Sequence, residues 1–129
     1  MKDSRKKKIR EIRTYLLSYA QNIPFAFLFG SYAIGKHTPL SDIDIAVYYN
    51  GLSETMRSGI EHTISMFFDK PVHILSLDDD DISSSVRLEA IQGVPIMIND
   101  PDFLNQFILK TIHLAQEEKR VIGRLRKTA

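Results

Sequence analysis

The 129-residue chain contains no cysteine. Disulfide bonds, thiolate catalysis and cysteine-ligated zinc are therefore excluded. An excess of one charge is also missing: 17 basic residues face 16 acidic ones, a formal net charge of +1. Nothing in that balance pulls the protein toward nucleic acid or an anionic membrane, and neither is expected as a direct partner. No apolar run approaches the ~20 residues of a membrane span. The basic start, Met1 to Lys8, is not followed by the hydrophobic region of a secretory signal. Internal repeats, low-complexity segments and interdomain linkers are lacking too. What remains is 43% hydrophobic and 26% charged, the ordinary make-up of a soluble, globular, single-domain chain with its own core. A cytoplasmic location is the simplest expectation.

The chain is organised around residues 28–47. The apolar run Phe25 to Phe29 reads as a buried strand and stops at Gly30-Ser31. A short polar connection through Gly35 and Lys36 leads to Ser41, and a second apolar run then opens with Asp42-Ile43-Asp44-Ile45. Side chains alternate along a strand, so Asp42 and Asp44 share one face while Ile43 and Ile45 take the other. Two carboxylates side by side repel each other unless a cation sits between them. Oxygen-only ligands favour Mg²⁺ in that place. Gly30, lacking a Cβ, lets backbone come close to a ligand. Ser31 stands where strand gives way to helix, a position suited to anions and to an N-cap. Ser41 can anchor the turn before Asp42.

Around this stretch the periodicities predict a run of alternating elements. Ile9, Ile12, Leu16 and Tyr19 mark a helix over Ser4 to Gln21, with Arg5-Lys6-Lys7-Lys8 as a solvated first turn. Asp42 to Tyr49 is the second strand. Asn50-Gly51 makes a turn, and Ser53 caps a helix to about Phe68 with Met56, Ile60, Ile64 and Phe67 on its core stripe. Pro71 to Leu77 is the third strand, a crossover onto the same sheet. Asp78 to Asp81 is expected to be a solvated loop whose last member caps a helix over Ile82 to Gln92, ended by Gly93. Pro95 makes Val94 to Ile98 an edge strand. Asp100-Pro101 starts a long C-terminal helix, with an apolar stripe of Phe103, Leu104, Phe107, Ile108, Ile112 and Ala115. Its charged tail past Gln116 keeps Val121, Ile122 and Leu125 at helical spacing, a surface open to a partner or a second copy. Lys36 and His37 are expected to be solvent-exposed.

Gly30-Ser31, the later Gly35 and Ser41-Asp42-Ile43-Asp44 resemble the signature of the nucleotidyltransferase superfamily related to DNA polymerase beta. The short chain resembles its minimal nucleotidyltransferase branch, the MNT proteins often paired with HEPN-domain proteins. The signature covers Leu28 to Val47, and a weaker likeness in the order and length of elements runs from about Ile9 to Ile112. The resemblance implies an α/β (α+β) fold, a small mixed sheet flanked by helices, with residues 1–129 forming one minimal nucleotidyltransferase domain. It implies Asp42 and Asp44 as catalytic metal ligands for Mg²⁺. Gly30, Ser31 and Ser41 would form the nucleotide-binding corner. Active members usually carry a third carboxylate on the strand beside the Asp pair; here His73 takes that place as a candidate catalytic residue, a neutral imidazole that could accept a proton or bind a metal but brings no negative charge. By the same resemblance, such proteins act as antitoxins to HEPN-domain ribonucleases, transferring AMP from ATP to a tyrosine hydroxyl of the toxin. The missing carboxylate supports an alternative, a module of the same fold that neutralises its partner by binding alone. An aminoglycoside-modifying activity would need a larger acceptor region than 129 residues leave.

Overall fold

A computed structural model describes residues 3–36 and 41–128. The expectation for His37 falls outside them. Helix α1 (Asp3–Leu16) runs into a short 3-10 turn (Leu17–Tyr19), followed by β1 (Phe25–Phe29), α2 (Gly30–Ala33), β2 (Ile43–Val47) and α3 (Glu54–Ser65). Then come β3 (Val72–Ser76), α4 (Ser84–Ile91), β4 (Val94–Ile98) and α5 (Pro101–Thr128). The four strands form one mixed sheet in the order β3-β2-β1-β4. β1 lies antiparallel to both β2 and β4, whereas β2 and β3 are parallel. The parallel pair follows from the intervening helix: a strand, α3 and a strand return to the sheet in the same direction.

Alternation along the strands divides the core into two layers. Ala26, Leu28, Ile43, Ile45 and Val47 face Ile9, Ile12 and Leu16 of α1 and Ile60 and Ile64 of α3. Phe25, Phe27, Phe29 and Ala46 face the other way, toward Ala90 of α4 and Leu104 of α5. Central β1 is buried on both faces, so all five of its residues are apolar. Pro95 sits on β4, an outer strand, where a missing N–H costs least. Phe25, Tyr48, Phe103 and Phe107 pack ring against ring at 4.9–6.2 Å and fasten the first turns of α5 to the sheet. Asp100 caps α5 by accepting the Phe103 N–H at 3.1 Å. Among the described residues no helix is long and apolar enough to cross a membrane.

Several local expectations are corrected. The first basic cluster is not a solvated turn throughout: Lys6 and Lys7 are exposed, but Arg5 is buried. Lys8 donates to the Phe67 carbonyl and lies 5.7 Å from the Phe68 ring centre. Met56 is 46% exposed and lies off the core stripe, which Ile60 and Ile64 carry. The helix after the acidic run is capped by Ser83, whose Oγ accepts the Val86 N–H, and not by Asp81. The reason is local: Asp79 accepts the Asp81 N–H at 2.9 Å, closing a turn that delays the helix. Asp78 is not a loop residue in water either. Its carboxylate pairs with Arg57 at 2.8 Å and accepts the Tyr49 N–H at 3.1 Å. It thereby joins α3 to the ends of β2 and β3.

Candidate active site

The corner between β1 and α2 is built by one antiparallel pairing. Phe29 is the partner of Asp44 across the β1–β2 ladder, so the residue after Phe29 emerges beside that carboxylate. That residue is Gly30, with φ +76°. A Cβ at Gly30 would stand 2.5 Å from Asp44 Oδ2, inside contact distance. Only glycine permits both the left-handed backbone and this approach. Gly35, at φ +75°, then ends the short helix as expected, its N–H bonding the Tyr32 carbonyl at 3.3 Å. Ser31 does not cap α2: the N-cap position is Phe29, with no side-chain bond. An N-cap two residues early moves Ser31 inside the helix, where its hydroxyl is no longer placed to accept from the first turn.

Asp42 is exposed and immediately precedes β2, and Ser41 beside it is half-buried. Asp44 is half-buried, with its side chain 30% exposed. Its carboxyl is held above the ordinary carboxylate range, chiefly by burial and further by the charges of Asp42 and Glu89. His73 opposes the shift. It pairs with Asp44 across the parallel β2–β3 ladder, and its Nδ1 lies 3.6 Å from Asp44 Oδ1. The imidazole itself projects from outer strand β3 and is 70% exposed. The structure thus brings Gly30, Asp44 and His73 together, with Asp42 close enough for its charge to act on Asp44. Lys36 is exposed, as expected.

The donor set suits a hard divalent cation. Asp44 is raised first by burial and then by the charge of Asp42, and a cation between the two acids would offset both. Among the described residues no group of three His, Asp or Glu side chains forms a closed cage. Two carboxylates can still hold a divalent cation when substrate phosphates complete its shell. A cavity of about 270 Å³, lined among others by Tyr48, Asp80, Arg87 and Phe107, lies toward the other end of β2 and is no part of this corner.

The family model "Polymerase beta, Nucleotidyltransferase" matches residues 10–102, which include every element of the corner. The chain belongs to the polymerase beta nucleotidyltransferase family. The membership fits the pairing of Gly30 with Asp44, since residues 28–47 carry both halves of the signature. Solved structures share the fold. A chain from a toxin–antitoxin complex with AMP-PNP is 24% identical, with TM-score 0.66, covering 93% of this nucleotidyltransferase chain and 97% of that one. A chain from the MntA–HepT toxin–antitoxin is 20% identical, with TM-score 0.63 over 94% and 98%. A third, from a tri-AMPylated Shewanella oneidensis HEPN toxin in complex with MNT antitoxin, is 21% identical, with TM-score 0.63 over 94% and 98%. No curated protein matches the chain in sequence.

One residue at the corner escaped the sequence reading. Arg5 is 7% exposed, and its Nη1 donates to the carbonyls of both Tyr32 and Ala33 at 3.0 Å. The available signal was its spacing: Arg5, Ile9, Ile12 and Leu16 recur at steps of four, three and four, on one face of α1. An arginine in register with a buried stripe is a candidate for an inward-facing cation.

Proposed function

We propose that this chain is a nucleotidyltransferase antitoxin, a single minimal domain over residues 1–129 that transfers AMP from ATP to a hydroxyl of a HEPN-domain toxin. The observation that carries the reading is the contact of the Gly30 backbone with Asp44, an acid raised by burial and by Asp42, within the family match. The toxin–antitoxin neighbours, one with AMP-PNP and one with a tri-AMPylated HEPN toxin, support the choice of ATP and of partner. The reading implies a cytoplasmic protein.

In this mechanism Asp42 and Asp44 hold Mg²⁺, and Gly30, Ser31 and Ser41 line the nucleotide's phosphates. When bound, the cation supplies positive charge to the phosphates and the departing pyrophosphate. The acceptor oxygen bonds to the α-phosphorus as the bond to the bridging α–β oxygen breaks and pyrophosphate leaves. The protein's part is mostly position and charge. Gly30 keeps the backbone low enough for a phosphate to lie beside Asp44. His73 turns Nδ1 toward Asp44, which leaves Nε2 to take the acceptor's proton.

A second reading is favoured by the exposed His73 where active relatives carry an acid: the fold neutralises a partner by binding alone. One experiment separates the two. The purified chain is incubated with labelled ATP, Mg²⁺ and a HEPN-domain toxin from the same genome. Label on the partner, lost in Asp42→Asn and Asp44→Asn, establishes the transferase. Tight association with no label establishes the binding module and sinks the transferase.

A further inference from the structure

Helix α2 is only four residues long. A helix that short makes few carbonyl bonds of its own, and the Tyr32 carbonyl accepts the Gly35 N–H at a long 3.3 Å. The carbonyls of Tyr32 and Ala33 both accept, at 3.0 Å, from Nη1 of Arg5, reaching across from α1. The guanidinium also fills the space beside Gly35, where a Cβ would come within 3.1–3.2 Å of Nη2 and Nη1. Gly35 is the residue at which the chain turns away from the corner. Among the described residues Arg5 Nε has no hydrogen-bond partner and no carboxylate pairs with the guanidinium. Burying a cation without a counter-charge is costly. The fold tolerates that cost at the one place where a planar fork can hold the back of the glycine–serine corner. Tyr32, whose carbonyl Arg5 holds, packs its ring edge-on against Phe68 at 5.9 Å, so the clasp is wedged between α1 and the end of α3.

We propose that Arg5 is a positioning residue for nucleotide transfer: by bracing the rear of α2 it fixes Gly30 and Ser31 against Asp44. The proposal rests on the nucleotide-binding reading of that corner. Arg5 lies behind the corner and is not proposed to touch substrate. A lysine keeps the charge but offers a single ammonium in place of the fork, so it restores the brace in part.

The test uses the full chain, with Arg5→Met and Arg5→Lys beside wild type. Amide hydrogen exchange reads the corner without nucleotide. AMP-PNP titration with Mg²⁺ reads binding, and AMP transfer to the partner reads KM and kcat. In Arg5→Met, residues 30–36 are expected to exchange roughly 10-fold faster or more, while β1 and α5 keep their protection. AMP-PNP affinity falls by roughly 10- to 100-fold, the penalty for a corner displaced by an ångström. The loss falls on KM for ATP more than on kcat, and Arg5→Lys recovers part of it. If Arg5→Met does not fold, Arg5→Lys carries the same comparison at smaller amplitude. Unchanged exchange at residues 30–36 overturns the clasp. So does an affinity loss that merely tracks a uniform loss of protection across the sheet. A wild-type chain that binds no AMP-PNP, with faster exchange confined to residues 30–36 in Arg5→Met, overturns the nucleotide reading and leaves the clasp as architecture only.

Discussion

Replacing Gly30 with alanine probes the spacing of the site with a single methyl group. The backbone there has φ +76°, and the new carbon would stand 2.5 Å from Asp44 Oδ2 and 3.3 Å from its Cγ. An ordinary carbon–oxygen contact is about 3.5 Å, so the carboxylate must retreat by about 1 Å. It is the end of a side chain and can swing. The stability cost is therefore mainly that of a left-handed alanine, about 1–2 kcal/mol. The functional cost is larger, because the swing carries the carboxylate away from the corner. A misplacement of that size lowers affinity for Mg²⁺–AMP-PNP on the order of 100-fold, or about 2.7 kcal/mol. Urea unfolding without nucleotide measures the first effect and calorimetric titration the second. In an Asp44→Ala background the methyl has no carboxylate to displace, so Gly30→Ala should bring little further loss of affinity. Undiminished binding by Gly30→Ala would refute the reasoning. So would a stability loss above about 4 kcal/mol, which would mean that backbone, not carboxylate, gives way.

Other perturbations test the frame around that corner. A Cβ at Gly93 would run into the Leu28 carbonyl and come 2.9 Å from Phe29 Cβ; Gly93→Ala should cost about 3 kcal/mol in urea unfolding, and a loss under about 1 would contradict the tight seat of α4. Asp78→Ala strips the acceptor from the Tyr49 N–H and leaves Arg57 without its partner, a loss of about 1–3 kcal/mol that a thermal melt would register. His73→Asp puts an acid beside Asp44; Mg²⁺ affinity by titration should rise severalfold, and a fall would exclude the third-carboxylate role for position 73. Tyr49 is pushed well above the usual tyrosine range, first by burial and then by Glu61. An acid raised on folding stabilises fully below its unfolded value, and that stability fades as pH climbs above about 10. Denaturation between pH 8 and 11 should show the decline, and Tyr49→Phe should flatten part of it.

The unbroken apolar run of Phe25 to Phe29 and the polar–apolar alternation of Asp42 to Ile45 made two strands legible, because one reads as buried on both faces and the other has a period of two. The caps at Ser53 and Asp100 were readable for a similar reason: each is a short polar residue just before an apolar helical stripe. The pairing of Asp44 with Gly30 was legible only as a resemblance, since ladder register depends on long-range contacts that no local pattern encodes. Elsewhere composition misled. Arg5 sits in a run of four cations that reads as solvated, yet its place on the stripe of Ile9 and Ile12 turns it inward. Asp78 belongs to a run of acids, but the Arg57 that claims it comes from another helix. Ser31 lost its capping role through a two-residue shift in the cap of α2, a margin within which helix ends ordinarily vary.

His73 stands on an outermost strand with most of its imidazole in water, and neither apolar layer leans on it. The scaffold is therefore indifferent to what occupies that position. On the proposed transferase reading, one codon there alters the chemistry while the sheet and the helices stay as they are. Under that reading, disarming a neighbour by modifying it and merely holding on to it call for one and the same skeleton, told apart by a single rim-mounted side chain.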